Sequence, residues 1–218
     1  MAPTLDYRKN PFLKNPSCKI FLIISPSGGG KSTQVKAALK HPKIGRSLEF
    51  VITHASRSPR GTEKNGVDYY FVDDAQFRRM VDADEFAEHM EVYPGGFYGT
   101  SRTELVRVVG NHNHGITDID IKGATNLKYQ FPGNVHTIFL QPESIEQTRE
   151  QLELRSVEDG MTKGEIDTRM ARFDEEFARR FDFELLVTNV HGKPEIAQKV
   201  IADFIHEKTF SGTHSFVC

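Results

Sequence analysis

The chain has 218 residues, 38% hydrophobic and 27% charged, which suits a globular protein of one domain, with or without an insertion, at a prior of about 150 residues per domain. Its net charge of −2 argues against bulk electrostatic binding of nucleic acid, which needs a basic surface, and no run of about 18 apolar residues offers a membrane span. Two cysteines, Cys18 and Cys218, are too few for a disulfide framework or a metal-ligand set, so a reducing cytoplasm is the expected compartment.

Residues 1–17, with prolines at 3, 11 and 16 and mixed charge, read as a loose leader without the apolar segment of a secretion signal. Ile20-Phe21-Leu22-Ile23-Ile24 is a buried-strand pattern feeding the glycine-rich run Ser25 to Thr33. The helix that follows ends where His41-Pro42 breaks it. Phe50–Thr53 reads as a short strand. From 54 to 101 the texture turns to loops and hairpin-like pieces such as Asp68–Val72, which suggests an inserted subdomain. Strand patterns resume at Gly115–Ile121 and Val135–Leu140. A charged helical segment covers about 143–180, broken near Asp159-Gly160, with Phe173, Phe177 and Phe181 spaced as a helical core seam. A strand at Phe183–Thr188 and a helix from Pro194 to His206 close a domain of 18–207, and 208–218 reads as a flexible tail. Alternating strands and helices predict an α/β fold with a parallel sheet.

The glycine-rich run carries most of the function. A strand, a loop of Ser25-Pro26-Ser27-Gly28-Gly29-Gly30-Lys31-Ser32-Thr33 and a helix form the arrangement in which backbone N–H groups meet phosphate oxygens at a helix N-terminus. Ser27 through Thr33 are the predicted cradle for a nucleoside triphosphate. Lys31 reaches the β- and γ-phosphates, and the Ser32 hydroxyl ligates Mg²⁺. The pattern opens with glycine where this chain has Ser25, a turn that serine makes at a steric cost.

Asp118 and Asp120 are two apart in a strand pattern and therefore share a face. Buried unpaired charges are costly, which places them at the carboxyl end of the strand, where open α/β sheets hold their ligands. Asp118 then serves Mg²⁺ through water, and Asp120 meets a polar group of the substrate. The plainer alternative is that one of them caps the next helix. Asn111-His112-Asn113-His114 is not expected to bind metal, since no carboxylate or cysteine stands at ligand spacing.

Four further segments resemble the guanylate kinase family. Thr53 through Tyr69, with Arg57-Ser58-Pro59-Arg60 inside it, is similar to the segment that grips the phosphate of GMP. Phe86-Ala87-Glu88-His89 and Tyr98-Gly99-Thr100-Ser101 look like the pieces that read guanine. Asp118-Ile119-Asp120-Ile121-Lys122-Gly123 resembles the central strand, with Lys122 in the usual place of glutamine, and Pro142-Glu143-Ser144 the turn before the lid. The order holds from about residue 19 to 207.

That resemblance implies a P-loop NTPase-type parallel sheet flanked by helices (core 18–53 and 102–207), a small α+β GMP-binding insertion (54–101) and a helical lid (about 151–168). It implies γ-phosphoryl transfer from Mg·ATP to GMP or dGMP, in purine nucleotide metabolism. Arg57 and Arg60 offer planar forks to phosphate oxygens. Tyr69 and Tyr98 add phenols to that phosphate, with Thr53 in the place of a serine-type donor. Glu88 accepts from the guanine N1–H and N2–H, Thr100 meets O6, Asp120 meets the amine, and Gly99 belongs to the same segment. Arg155 and Arg169 look like lid arginines that close over the transferring group. Gln151 stands where a further arginine is expected, for which Arg149 or Arg172 are the substitutes. ATP and GMP are the implied partners, with no nucleic acid or membrane, in a monomer or else a homodimer. The alternatives are a P-loop kinase acting on another phosphorylated acceptor, and a non-catalytic binding module of the same fold.

Overall fold

Every side chain of Ile20–Ile24 is at most 1% exposed, because this strand is hydrogen-bonded on both edges and covered on both faces. In the computed structural model, which describes residues 6, 9–26, 28–159 and 162–210 without the side chains of 147, 151, 155–159 and 165, the elements run as follows. They are β1 (Ile20–Ile24), α1 (Lys31–Lys40), β2 (Leu48–Phe50), β3 (His54–Ala55), β4 (Tyr70–Phe71), α2 (Asp74–Asp82), β5 (Phe86–Tyr93), β6 (Gly96–Ser101) and α3 (Arg102–Gly110). Then come β7 (His114–Asp118), α4 (Ile121–Gln130), β8 (Val135–Pro142), α5 (Ile145–Asp159), α6 (Lys163–Ala171), α7 (Phe173–Ala178), β9 (Leu185–Asn189) and α8 (Pro194–Phe210).

The main sheet is parallel in the order β2-β7-β1-β8-β9. Alternation along β1 divides the core. Ile20, Leu22 and Ile24 pack with α3 and α4 residues such as Leu105, Val108 and Leu127. Phe21 and Ile23 pack with Val35 and Ala38 of α1 and Ile201 and Ile205 of α8. Each such buried side chain contributes about 1.5–3 kcal/mol. The register sets Ile23 of β1 beside Asp118 of β7, so the phosphate loop and the first of the two aspartates leave the sheet at the same end. A second sheet, β4-β3-β6-β5, is built wholly from residues 54–101.

Local chemistry sets the boundaries. Ser101 caps α3 by accepting from the Glu104 N–H, and Asp73 caps α2 by accepting from the Gln76 N–H, the N-cap bonds these residue types favour. α1 stops where the His41 N–H returns to the Ala38 carbonyl, one residue before Pro42.

Several expectations need correction. The strand read over 115–121 ends at Asp118, and Asp120 is the N-cap of α4, its Oδ1 accepting from Lys122 and Gly123 N–H at 2.8 and 3.0 Å. Asp118 and Asp120 therefore do not share a strand face; two N–H groups at a helix start compete successfully for the carboxylate. The strand expected at 50–53 is Leu48–Phe50. Tyr70–Phe71 pairs parallel to β3, and the insertion's hairpin is β5–β6. Phe173 is buried, but Phe181 is 71% exposed, because α7 ends at Ala178 and a 3-10 turn over Arg179–Asp182 breaks the spacing of four. The leader is also not loose throughout: a 3-10 turn at Pro11–Leu13 buries Phe12 to 3% exposure, edge-on to Phe131 at 5.1 Å. The last helix extends to Phe210, and 211–218 lie outside the described residues.

If that anchoring is genuine core packing, Phe12→Ala should lower unfolding free energy by about 3 kcal/mol or more. Urea denaturation of the full chain measures it, and a loss under about 1 kcal/mol would return the leader to the status of an appendage.

Candidate active site

The phosphate loop takes its shape from backbone torsions that side chains resist. Gly28 and Gly30 have φ of 83° and 87°, left-handed values that glycine tolerates. A Cβ on Gly28 would lie 2.9 Å from the Thr148 carbonyl of α5, and one on Gly30 2.7 Å from Asn189 Nδ2 at the end of β9. Asn189 donates to the Gly29 carbonyl at 3.1 Å, so the end of β9 steadies the loop. Lys31 folds back over it, its Nζ donating to the carbonyls of Ser25 at 2.8 Å and Pro26 at 3.4 Å. Ser32 and Thr33 stand exposed in the first turn of α1. Ser27, read as part of the cradle, lies outside the described residues.

Arg57 and Arg60 sit on the loop between β3 and β4. The Arg57 guanidinium donates from Nε to the Tyr98 hydroxyl at 2.8 Å, and from Nη1 and Nη2 to both Glu63 oxygens at 2.6 and 2.8 Å. Its Nη1 also reaches the Ser58 carbonyl, so four of the five N–H donors of the fork are engaged. Its face lies over Tyr69 and Phe71 at 5.1 and 5.5 Å. Glu63 additionally accepts from the Arg60 N–H at 2.8 Å, and holds both arginines in one turn. Arg57 holds the Glu63 carboxyl below the usual carboxylate range against the opposing effect of burial. Neither Glu63 nor Tyr93, whose hydroxyl lies 3.4 Å from Arg60 and 3.5 Å from Tyr98, was singled out in the sequence; neither belongs to a motif that spacing would reveal. Burial pushes the Tyr69 phenol up, and Asp118 is the next cause, so this clamp faces the end of β7. Thr53 is buried and its carbonyl receives the Tyr70 N–H.

Glu88 is on β5, not on an exposed helix, and is 5% exposed. Thr100, directly across the hairpin, donates to Oε1 from both its N–H and its hydroxyl at 2.9 and 2.7 Å. The hydroxyl expected to meet O6 of a base therefore orients Glu88 instead, since Thr100 is fully buried. Among the described residues Oε2 receives no hydrogen bond, and it lies 2.7 Å from where a Cβ would stand on Gly123. Gly99 is required where β6 crosses the Phe86 ring, 2.8 Å from its would-be Cβ. Burial pushes the Glu88 carboxyl up to about 7, and the neighbouring Asp120 adds to the rise against the Thr100 bonds. A carboxylate this buried, half paired, and beside a second carboxylate is a site that a ligand with adjacent N–H donors would complete.

Arg169 is half-buried on α6. Arg155 falls on α5, its side chain outside those described. The two substitutes considered for the missing arginine are engaged elsewhere: Arg149 with Asp167 at 3.4 Å, and Arg172 with the Val92 carbonyl of β5. Glu176 was also missed. It is half-buried on α7, its carboxyl raised by burial and stabilised by Lys31 and Arg172.

Among the described residues no group of three His, Cys, Asp or Glu is placed to hold a metal ion. The Lys19 N–H donates to His114 Nδ1 at 3.1 Å, which makes that histidine a structural acceptor. A single hydroxyl, Ser32, and a carboxylate at the end of β7, Asp118, do fit Mg²⁺, which keeps waters and takes phosphate oxygens in place of an all-protein cage.

Two outcomes follow from this geometry. Glu63→Gln breaks the bidentate pair, so the KM for a phosphorylated acceptor should rise about tenfold, in the range for a charge-assisted bond, while that for ATP stays within twofold. An unchanged acceptor KM would make the pair incidental. For Glu88, a raised folded-state pKa means stability is fully present below the unfolded value near 4.5 and is lost as pH rises through about 7. Glu88→Gln should thus stabilise the free protein at pH 8 relative to pH 5, by at most about 3 kcal/mol. Thermal unfolding at both pH values reads it, and equal shifts would show that the carboxylate is solvated.

The guanylate kinase family profile matches residues 17–208. A guanylate kinase of Porphyromonas gingivalis is 35% identical over 189 residues, covering 86% of this chain and 98% of its own. One of Bacteroides fragilis is 32% identical over 194 residues, with 88% and 92% covered. The crystal structure of guanylate kinase from Anaplasma phagocytophilum superposes with a TM-score of 0.67 at 23% identity, over 88% of this chain and 87% of the other, and so shares the fold. With the profile spanning most of its length and relatives above 30% identity, the chain belongs to the guanylate kinase family.

Proposed function

We propose that this kinase transfers the γ-phosphoryl group of ATP to GMP or dGMP, giving ADP and the nucleoside diphosphate. The reading is carried by Glu88, a buried carboxylate with one oxygen satisfied by Thr100 and the other turned toward Gly123. Guanine presents N1–H and N2–H side by side and satisfies that acceptor, whereas adenine turns a lone pair to it. Asp120, whose two helix-capping bonds both fall on Oδ1, keeps its other oxygen for the exocyclic amine.

The acceptor phosphate meets Arg60 and the remaining donor of Arg57, with the Tyr69 and Tyr98 phenols beside them. Because its second pKa is about 6, it is ionised near neutral pH and no general base is required. One of its oxygens attacks the γ-phosphorus, that bond forms as the bond to the β–γ bridging oxygen breaks, and ADP leaves. Lys31 exchanges the Ser25 and Pro26 carbonyls for the β- and γ-phosphates, and Arg155 of the lid, about 151–168, and Arg169 just after it neutralise the transferring group. Mg²⁺, held by Ser32 and through water by Asp118, supplies further charge neutralisation when bound. No helix among the described residues is long and apolar enough to cross a membrane, and the buried Cys18 thiol is pushed up to about 12 by burial. The proposed enzyme is a monomer, or else a homodimer, acting on small nucleotides in a reducing cytoplasm.

ADP release measured with GMP, dGMP, AMP, UMP, CMP and ribose bisphosphates as acceptors tests the assignment. GMP should exceed AMP in kcat/KM by about 10⁴, the range for a polar pocket that a wrong ligand leaves unpaired. Glu88→Ala should shrink that ratio by losing activity on GMP, and Lys31→Ala should cost about 10³ or more. A GMP/AMP ratio untouched by Glu88→Ala would refute the guanine assignment.

A further inference from the structure

The phosphate loop departs from its pattern at Ser25, and the structure shows what that residue meets. Ser25 is 4% exposed, and its hydroxyl is buried without a hydrogen-bond partner. It points at the fifth position of the loop. A Cβ built on Gly29 would lie 1.7 Å from Ser25 Oγ, 2.9 Å from Ser25 Cβ and 3.2 Å from the Pro26 carbonyl. Rotating the serine about χ1 relieves the first contact but not the second, because Cβ is fixed to the backbone. Unlike Gly28 and Gly30, Gly29 has no positive φ, so its backbone conformation does not call for glycine. The phosphate-binding pattern leaves this position open to any residue. Its requirement here is therefore steric and arises from Ser25.

We propose that Ser25 and Gly29 are a coupled positioning pair: the serine side chain occupies the space that a side chain at 29 would fill, and Gly29 is obligatory only because Ser25 is present. Neither side chain touches the nucleotide. Together they set the backbone of Ser25-Pro26 against that of Gly28 to Lys31, whose carbonyls and N–H groups handle Lys31 and the phosphates. The pair makes three successive glycines in the loop, 28 to 30, and leaves an unpaired hydroxyl beneath it. Exchanging both members removes the hydroxyl, shortens the glycine run and refills the space with a methyl group.

The inference rests on the phosphate-loop reading of the site. The test compares the wild-type chain with Ser25→Gly, Gly29→Ala and the two combined, measuring KM for ATP and for GMP, kcat, and the thermal midpoint with and without ADP. Gly29→Ala should raise the KM for ATP at least tenfold while moving that for GMP less than twofold, and should lose most of the midpoint shift that ADP produces. The combined variant should return to within about threefold of wild type for ATP and have a higher midpoint without ligand. Rescue of this kind is a coupling energy, which independent effects would not show. An ATP KM unmoved by Gly29→Ala, or a combined variant no better than Gly29→Ala alone, overturns the pairing. Lys31→Ala measured alongside separates the two claims: full activity there defeats the phosphate-loop reading and the pairing with it, while its inactivity together with an unimpaired Gly29→Ala defeats the pairing alone.

Discussion

The constraint from which this site follows is the placement of β1 between β7 and β8. A parallel strand hydrogen-bonded on both edges and buried on both faces cannot shift, so the point where it releases the chain is fixed. Gathered at that point are the loop N–H groups, Lys31, the start of α1, and Asp118 at the end of the neighbouring strand. The insertion brings its own charged groups to face this edge, as the effect of Asp118 on Tyr69 and of Asp120 on Glu88 attests.

Two different economies of charge operate on the two sides. On the phosphate side, Arg57 is already paired with Glu63 and propped by aromatic rings, so its guanidinium is ordered before substrate arrives and little side-chain entropy remains to be lost. On the base side, Glu88 is held by Thr100 but left short of partners in a dry place. The first arrangement favours binding; the second favours discrimination, because a wrong base leaves a desolvated carboxylate unsatisfied. The fold can combine them because the hairpin β5–β6 carries Glu88 and Thr100 at one end and Tyr93 and Tyr98 toward the other.

The phosphate loop was legible in the sequence because glycine positions, a lysine and a preceding apolar run are local signals, and the alternation of β1 is a period-two signal as well. Asp118 and Asp120 show the limit. Their spacing suggested one strand face, yet whether a strand continues or a helix begins is decided by which N–H groups lack partners, and α4 won Asp120. Glu63 pairs locally with Arg57 and Arg60 but stands in no spacing pattern; Asn189 and Glu176 matter through chain segments that meet only after folding, 160 residues apart for Asn189 and Gly29. Phe12 was missed for the same reason, since its partner Phe131 lies at the far end of α4.

The contact between Glu88 and Gly123 has a consequence for how this enzyme can change. The proposed reading makes base choice depend on a hydrogen atom standing where any other residue would carry carbon, in the first turn of a helix that also buries Ala124 and Leu127 in the core. A Cβ there would crowd the Glu88 carboxylate at 2.7 Å and the Ile119 side chain at 2.9 Å, which offsets the roughly 1 kcal/mol that alanine offers over glycine in a helix interior. Position 123 is thus held to glycine from two sides, and on the proposed reading a larger residue there would disturb the carboxylate that discriminates between purines.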